Sequence, residues 1–236
     1  MEHLANLTPW QQLRAPRMGR RAAQLALGLW LYGVSMAMMV ESHLGLDPWD
    51  VLHDGIARRL PLSFGAVVIV TGALVLLLWV PLRQMPGLGT VANVVVIGLA
   101  TDATLAVLHE PAGLPGRAAL LASGIVLNAA AGGLYIGAQL GPGPRDGLMT
   151  GVVRRTGWSV RAVRTSIEVG VLAVGFLLGG TVGIGTVAYA LMIGPLVQLF
   201  LPRFVVPLAG APRTDPYGSW LATYRPACRD AFVRSW

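Results

Sequence analysis

Residues 21–105 slide onto residues 117–201 at a constant offset of 96, without a gap. Arg21-Ala22-Ala23 lies over Arg117-Ala118-Ala119, and Ala26, Gly28 and Leu31 lie over Ala122, Gly124 and Leu127. Leu44-Gly45, Pro48 and Asp50 meet Leu140-Gly141, Pro144 and Asp146, followed by Arg58-Arg59 over Arg154-Arg155 and Ser63 over Ser159. Gly87-Leu88-Gly89-Thr90-Val91-Ala92 then meets Gly183-Ile184-Gly185-Thr186-Val187-Ala188, and Ile97-Gly98 meets Ile193-Gly194. About a third of the aligned pairs are identical, and they include Gly, Pro, Asp and Arg, which shared apolar composition does not explain. A repeat of this size in an apolar chain predicts a membrane protein made from two copies of one unit.

The apolar character is pronounced: 54% of the 236 residues are hydrophobic, 12% are charged and the mean hydropathy is +0.62. So few charges cannot cover a soluble protein of this length. Uncharged runs recur that are long enough to cross a bilayer, which takes about 18 residues or more. They predict six spans at roughly 21–43, 64–82, 88–108, 117–139, 160–178 and 184–201. The first is too long for a secretory signal core, and its repeat partner is also a mature span. A basic arm, 1–20, is expected before the membrane domain, 21–201. A basic tail, 202–236, is expected after it, in the cytoplasm or on anionic lipid.

The formal charge of +7 invites a nucleic-acid reading. The arginines argue against it. With the N-terminus inside, only Arg58, Arg59 and Arg117 of the 18 basic residues fall outside. That is the positive-inside bias of an integral membrane protein with both termini in the cytoplasm. The single cysteine, Cys228, excludes internal disulfides and multi-cysteine metal sites.

Three crossings per repeat bring the second copy in from the opposite face. The expected fold is therefore an all-α polytopic membrane protein of about six transmembrane helices, arranged as two inverted three-helix repeats. Each repeat also carries a short segment, unable to span, that reads as an interfacial or re-entrant helix. In the first, Asp47 suits the N-cap, Pro48 the first helical position and Asp50 the first turn; the second has Gly143, Pro144 and Asp146 there. Trp49, Leu52 and Ile56 are expected on one face of this helix, with Asp50, Asp54 and Arg58 on another. The third span of each unit opens on Gly-x-Gly-Thr and carries Gly98, or Gly194-Pro195, near its middle. Helices broken in this way line transporter sites.

Asp50 and Asp146 lead the pathway candidates, beside Arg145. Either they are paired carboxylates for a proton, a cation or an amine, or each caps its own helix. Arg161, Arg164 and Glu168 share one face of the fifth span. Arg164 could take an anion and Glu168 a coupling ion, or the two could neutralise each other. Asp102 and Pro195 are further candidates, and Asp102 also suits the outer interface. Asn93 and Asn128 read as interhelical glue. Glu41, His43, His53 and Asp54 match no zinc spacing, so no metal and no cofactor are expected, and no catalytic set of an enzyme is present.

The stretches GPGPRDGLMTGVVRRTGWSVRAVRTSIEV (141–169) and GGTVGIGTVAYALMIGPLVQLFLP (179–202) resemble the YczE-like bacterial membrane proteins, which are distantly similar to the YitT group. GLDPWDVLHDGIARRL (45–60) fits the same pattern. The resemblance spans about 20–205. It implies an integral cytoplasmic-membrane protein and supplies neither a substrate nor catalytic residues.

The repeat and the broken third and sixth spans favour an ion-coupled small-solute transporter or exporter of unknown substrate. Its partners would be the lipid bilayer and the solute, with six spans also compatible with a homodimer. The alternative is a non-transporting assembly factor or docking subunit for another membrane complex.

Overall fold

Side chains placed just ahead of the apolar runs start the helices. Thr8 and Gln11 cap the first helix reciprocally, through Gln11 N to Thr8 Oγ1 at 3.4 Å and Thr8 N to Gln11 Oε1 at 2.9 Å. Ser63 Oγ accepts from Ala66 N at 3.1 Å, and Ser159 Oγ from Ala162 N at 3.2 Å. Asp47 Oδ1 accepts from both Trp49 N and Asp50 N, at 2.8 and 2.9 Å. At the two Gly-x-Gly-Thr openings, Thr90 and Thr186 reach back to the N–H groups of Gly87 and Gly183 at 3.2 and 3.3 Å. These bonds satisfy backbone donors that have no partner within the helix.

The computed structural model describes residues 8–208. Within them run nine helices: α1 (Pro9–Arg14), α2 (Met18–Ser42), α3 (Pro48–Ala57), α4 (Phe64–Leu82), α5 (Leu88–Leu105), α6 (Gly113–Gly137), α7 (Pro144–Thr156), α8 (Val160–Leu177) and α9 (Ile184–Phe204). No strand forms among the described residues. The helices α2, α4, α5, α6 and α9 are long and apolar enough to cross a membrane. The expected fifth span is the 18-residue α8, which carries Arg161, Arg164 and Glu168. The 10-residue α3 extends only about 15 Å at 1.5 Å per residue, too short to cross.

Packing places α2 along α6 at the centre, with α5 against α2 and α9 against α6. The short helices exchange halves: α3 packs on α8, and α7 packs on α4. Leu25, Leu29, Met36, Met39 and Ile125 fill the α2–α6 seam, with Leu140 and Val51 at its margins. In one place the two halves differ. The helices α4 and α5 lie along each other, whereas α8 and α9 make no comparable contact.

The repeat offset reappears in individual bonds. Arg21 Nε donates to Ala138 O at 2.9 Å, and Arg117 Nε to Ser42 O at 2.8 Å. Gly89 N donates to Leu140 O at 2.7 Å, and Gly185 N to Leu44 O at 2.8 Å. Each residue in one bond stands 96 positions from its counterpart in the other. Gly45 and Gly141 have φ of +120° and +125°, in turns pressed against the opposite repeat. A Cβ on Gly45 would stand 2.7 Å from Gly183 N, and one on Gly141 2.8 Å from Thr90 Oγ1. Backbone conformation and space both call for glycine there.

Three expectations change. The helices α5 and α9 run unbroken through Gly98 and Gly194-Pro195. Gly98 serves close packing instead, since a Cβ there would meet Gly65 O at 2.5 Å. On α3, Trp49, Asp50 and His53 are buried, Leu52, Asp54 and Ile56 partly so and Arg58 exposed, so the expected apolar and polar faces do not separate by burial. The tail does not begin at Pro202, because α9 continues to Phe204 and Val205 and Val206 are buried. Val206 N donates to Gly137 O at 3.0 Å, and Gln139 Nε2 to Val206 O at 2.7 Å. The rest of the expected tail, with Cys228, lies outside the described residues, as does the arm before Thr8.

Trp79 on α4 is buried against α7, where its Nε1 donates to Pro144 O at 3.1 Å. A Cβ on Gly147 would collide with the Trp79 ring. Gly147→Ala is therefore expected to destabilise the protein by about 1–3 kcal/mol through overpacking. Melting of the detergent-purified variant beside wild type measures it, and an unchanged midpoint would show that the ring can move aside.

Candidate functional site

The exchanged packing of α3 and α7 leaves a central cavity of about 670 Å³ bounded by helices of both repeats. Its polar lining begins with the first turns of the two short helices. Because Asp47 uses only Oδ1 as a cap, its Oδ2 turns toward Arg145 on α7, with Nη1 3.5 Å away. Asp50 Oδ1 lies 3.7 Å from Arg145 Nη2 and 3.1 Å from His53 Nδ1. The Arg145 guanidinium sits over the Trp49 ring, 5.2 Å from its centroid, in a cation–π arrangement. Asp146 faces the same space beside Tyr135, whose OH is 3.4 Å from Asp146 Oδ2.

Above this cluster, Asn128 bridges the central helices. Its Nδ2 donates to Ser35 Oγ at 2.9 Å, and its Oδ1 accepts from Tyr189 OH at 3.0 Å. Tyr32 stands edge-on to Tyr135, with ring centroids 6.0 Å apart. From α8, Arg164 and Glu168 reach the cavity as an ion pair, Nε to Oε1 3.0 Å.

Burial dominates the electrostatics of the acidic cluster. Asp50 is fully enclosed, which pushes its carboxyl up to about 6, with the Arg145 charge opposing and Asp54 adding to the rise. Burial, reinforced by the neighbouring Asp50 charge, also raises Asp47. Burial raises Asp146 against the pull of Arg164 and Arg145. His53 is held down to about 3 by burial, then by Arg145. At neutral pH His53 is thus uncharged, and its contact with Asp50 is a hydrogen bond rather than an ion pair.

The cluster brings together five of the residues singled out from sequence: Asp50, Arg145, Asp146, Arg164 and Glu168. Asp50 does not cap its helix, since Asp47 does so. Arg164 and Glu168 form the pair read as self-neutralising. Asp102 is elsewhere: it accepts from Ser63 Oγ at 2.5 Å and Gly65 N at 2.7 Å, anchoring the start of α4. Pro195 is exposed on α9, away from the cavity lining. His53, His43 and Asp54, weighed together as a metal set, turn to Asp50, Glu110 and Thr181 respectively.

Sequence reading missed Asp47, Trp49, Tyr32, Tyr135 and Tyr189 as site residues. The available signal was asymmetry between repeats, since Asp47 and Trp49 face Gly143 and Arg145 across the offset. Departures from the repeat mark where the halves meet a non-symmetric demand.

Known proteins match along most of this length. An uncharacterised protein of Haemophilus influenzae is 41% identical over 177 residues, covering 75% of this chain and 81% of its own. The uncharacterised membrane protein YczE of Bacillus subtilis is 32% identical over 175 residues, covering 74% and 81%. The uncharacterised YyaS of the same organism is 22% identical over 180 residues, covering 75% and 90%. No solved structure matches the chain. The model of a family of unknown function, DUF6198, matches residues 19–202. Apolar helices, extended similarity to YczE and this family match agree: the chain is a YczE-like membrane protein and belongs to the DUF6198 family.

Proposed function

We propose that the protein is an ion-coupled carrier of a small solute, built from two inverted three-helix repeats in the cytoplasmic membrane with both termini inside. The observation that carries this reading is the charged cavity between the repeats. Carriers of this plan place their sites at the repeat interface. Charged groups at membrane depth are costly unless they serve such a pathway. The bonds that recur at the 96-residue offset, and the exchange of α3 and α7 between halves, are what an inverted pair would produce. The solute would pass without chemical change, and α8 would complete the six spans.

The cavity runs toward Gln12, Arg83 and Arg154, the side that the arginines assign to the cytoplasm. On the side that the arginines assign to the exterior, α3 is tied to the segment after α8. Thr181 N and Oγ1 donate to Asp54 Oδ2 at 2.8 and 2.7 Å, and Arg58 Nη2 donates to Thr181 Oγ1 at 3.0 Å. Across the offset the counterparts of Asp54 and Thr181 are Thr150 and Met85, which cannot form this lock. An inward-open carrier would have this asymmetry.

Two measurements test the reading. In a Cys228→Ser background, an impermeant maleimide on intact cells is expected to label Arg58→Cys and not Arg154→Cys; labelling of both would break the inverted plan. Proteoliposomes loaded with a pH-sensitive dye are expected to register proton flux when solute mixtures are added, and to lose it with Asp146→Asn. Silence with every mixture, from protein that melts cooperatively, would favour the docking-subunit reading.

The outer lock makes a further prediction. Asp54→Ala removes charge-assisted bonds worth about 1–3 kcal/mol. Labelling of a cavity cysteine, Asn93→Cys, from outside is expected to rise roughly tenfold, since about 1.4 kcal/mol changes an equilibrium by that factor. No increase would mean that Asp54 only braces the loop after α8.

A further inference from the structure

We infer that the central cavity binds an organic cation, an amine or quaternary ammonium with an apolar body, and that Arg145 occupies the place of its charged group when no ligand is bound. This inference rests on the carrier reading for its purpose and stands on its own geometry.

The cavity is lined by Asp47, Asp146 and Glu168 and by Arg83, Arg145, Arg154 and Arg164, with Arg83 and Arg154 toward its mouth and Arg164 paired with Glu168. At the Trp49 end, Asp47 and the buried Asp50 behind it share the single guanidinium of Arg145, so the excess there is negative. Asp47 Oδ2 and Asp50 Oδ2 are both buried and have no hydrogen-bond partner among the described residues. A buried carboxylate oxygen left in this state is costly, and it aims at a positive group. Arg145 compensates only loosely. Its separations of 3.5 and 3.7 Å from the two carboxylates exceed the 2.7–3.2 Å of ordinary N–H···O bonds. About a third of its side chain remains exposed (32%), and no hydrogen bond of ordinary length ties it to either carboxylate.

Trp49 supplies the second half of the recognition. Its ring already carries a cation, and aromatic faces are the usual receptors for amines and quaternary ammonium groups. Tyr32, Tyr135 and Tyr189 add three more rings around the same space. A volume of about 670 Å³ lies within the range of small-molecule sites. The sparse packing between α8 and α9 continues the cavity sideways, between Ile167 on one helix and Ile193 and Val197 on the other. An apolar body would fit that gap with its charge held at Asp47. Arg145 follows directly on Pro144 in the first turn of α7, so displacing it transmits ligand binding to the second repeat.

The test uses an isosteric pair of probes, tetraphenylphosphonium and tetraphenylborate, titrated into the full-length protein in nanodiscs with empty nanodiscs subtracted. The cation is expected to bind saturably and the anion not. Asp47→Asn should weaken cation binding at least tenfold, and Arg145→Gln should tighten it several-fold by removing the internal competitor. The wild-type comparison needs no variant, so the inference stays testable if a substitution fails to fold. Saturable anion binding that Arg145→Gln abolishes would overturn the cation assignment while leaving a carrier intact. Failure of the wild type to bind either tetraphenylphosphonium or tetramethylammonium would overturn it as well. Cation binding without any proton flux in the liposomes would uphold the site and sink the carrier reading instead.

Discussion

Arg21→Met is expected to cost about 3–5 kcal/mol of stability, because three carbonyls lose a charged donor at about 1–3 kcal/mol each. Arg21 has no exposed surface, yet it sits in the first turn of α2. Its three nitrogens donate to Ala138 O at 2.9 Å, Gln12 O at 2.6 Å and Gln139 O at 2.7 Å. Two of these acceptors close the end of α6, where carbonyls have no partner within the helix. The third holds α1 in place. Methionine fills much of the same volume and leaves all three carbonyls unpaired. Its repeat counterpart is the internal control. Arg117 bonds Ser42 O at 2.8 Å and Glu110 at 3.1 Å, but it is partly exposed and water can replace those partners. Arg117→Met is therefore expected to cost only about 1 kcal/mol, as exposed pairs do. Thermal melts of the two variants in one detergent decide the matter. Equal losses would mean that the buried hub contributes no more than its exposed twin.

Arg21 also shows where sequence reading stops. From the chain alone it counts as one of the cytoplasmic positive charges, and nothing in its neighbours says that it turns inward. The identity Arg21/Arg117 across the repeat was the clue, because a charge retained in both copies holds something in both. Helices were legible for a simple reason. Ser63, Ser159, Asp47 and the Gly-x-Gly-Thr openings start them through local chemistry that spacing alone reveals. The cavity was legible only in part. Asp50, Asp146, Arg145, Arg164 and Glu168 are unusual by their charge in an apolar chain, so composition exposes them. Tyr32, Tyr135 and Tyr189 look like ordinary aromatics, and only the crossing of α2, α6 and α9 brings them together. Asp102 carried the same signal of charge as the site residues, and Pro195 that of a broken helix; tertiary packing put both outside the site. Gly98 and Gly194-Pro195 misled because the features that break a helix also permit close approach, and here packing against Gly65 prevailed at Gly98.

Between pH 4 and 7, Asp50→Asn is expected to gain on wild type by about 3 kcal/mol, the equivalent of a two-unit displacement of one carboxyl. Asp50 has an ordinary value near 3.8 when unfolded and about 6 when buried in the native protein. The native state therefore holds its proton more tightly. The stabilisation from this group is complete below the unfolded value and is lost as the pH rises through the folded one. Asparagine has no proton to lose, so its stability lacks that decline. The neighbours fix the size of the effect. Arg145 on α7 pulls the value down, while Asp54 on α3 pushes it up. Asp47 ahead of α3, neutral His53 on it, Tyr32 on α2 and Tyr189 on α9 complete the surroundings, and α8 brings Arg164 and Glu168, already paired with each other. Helix α4 brings no charge. Melting curves of both proteins at pH 4, 5, 6 and 7 give the comparison, and parallel trends would show that Asp50 is not the group that titrates. For the carrier proposed above, a carboxyl at this value beside the cavity would let proton and cationic solute compete for the Asp47–Asp50 cluster, the exchange that proton coupling requires.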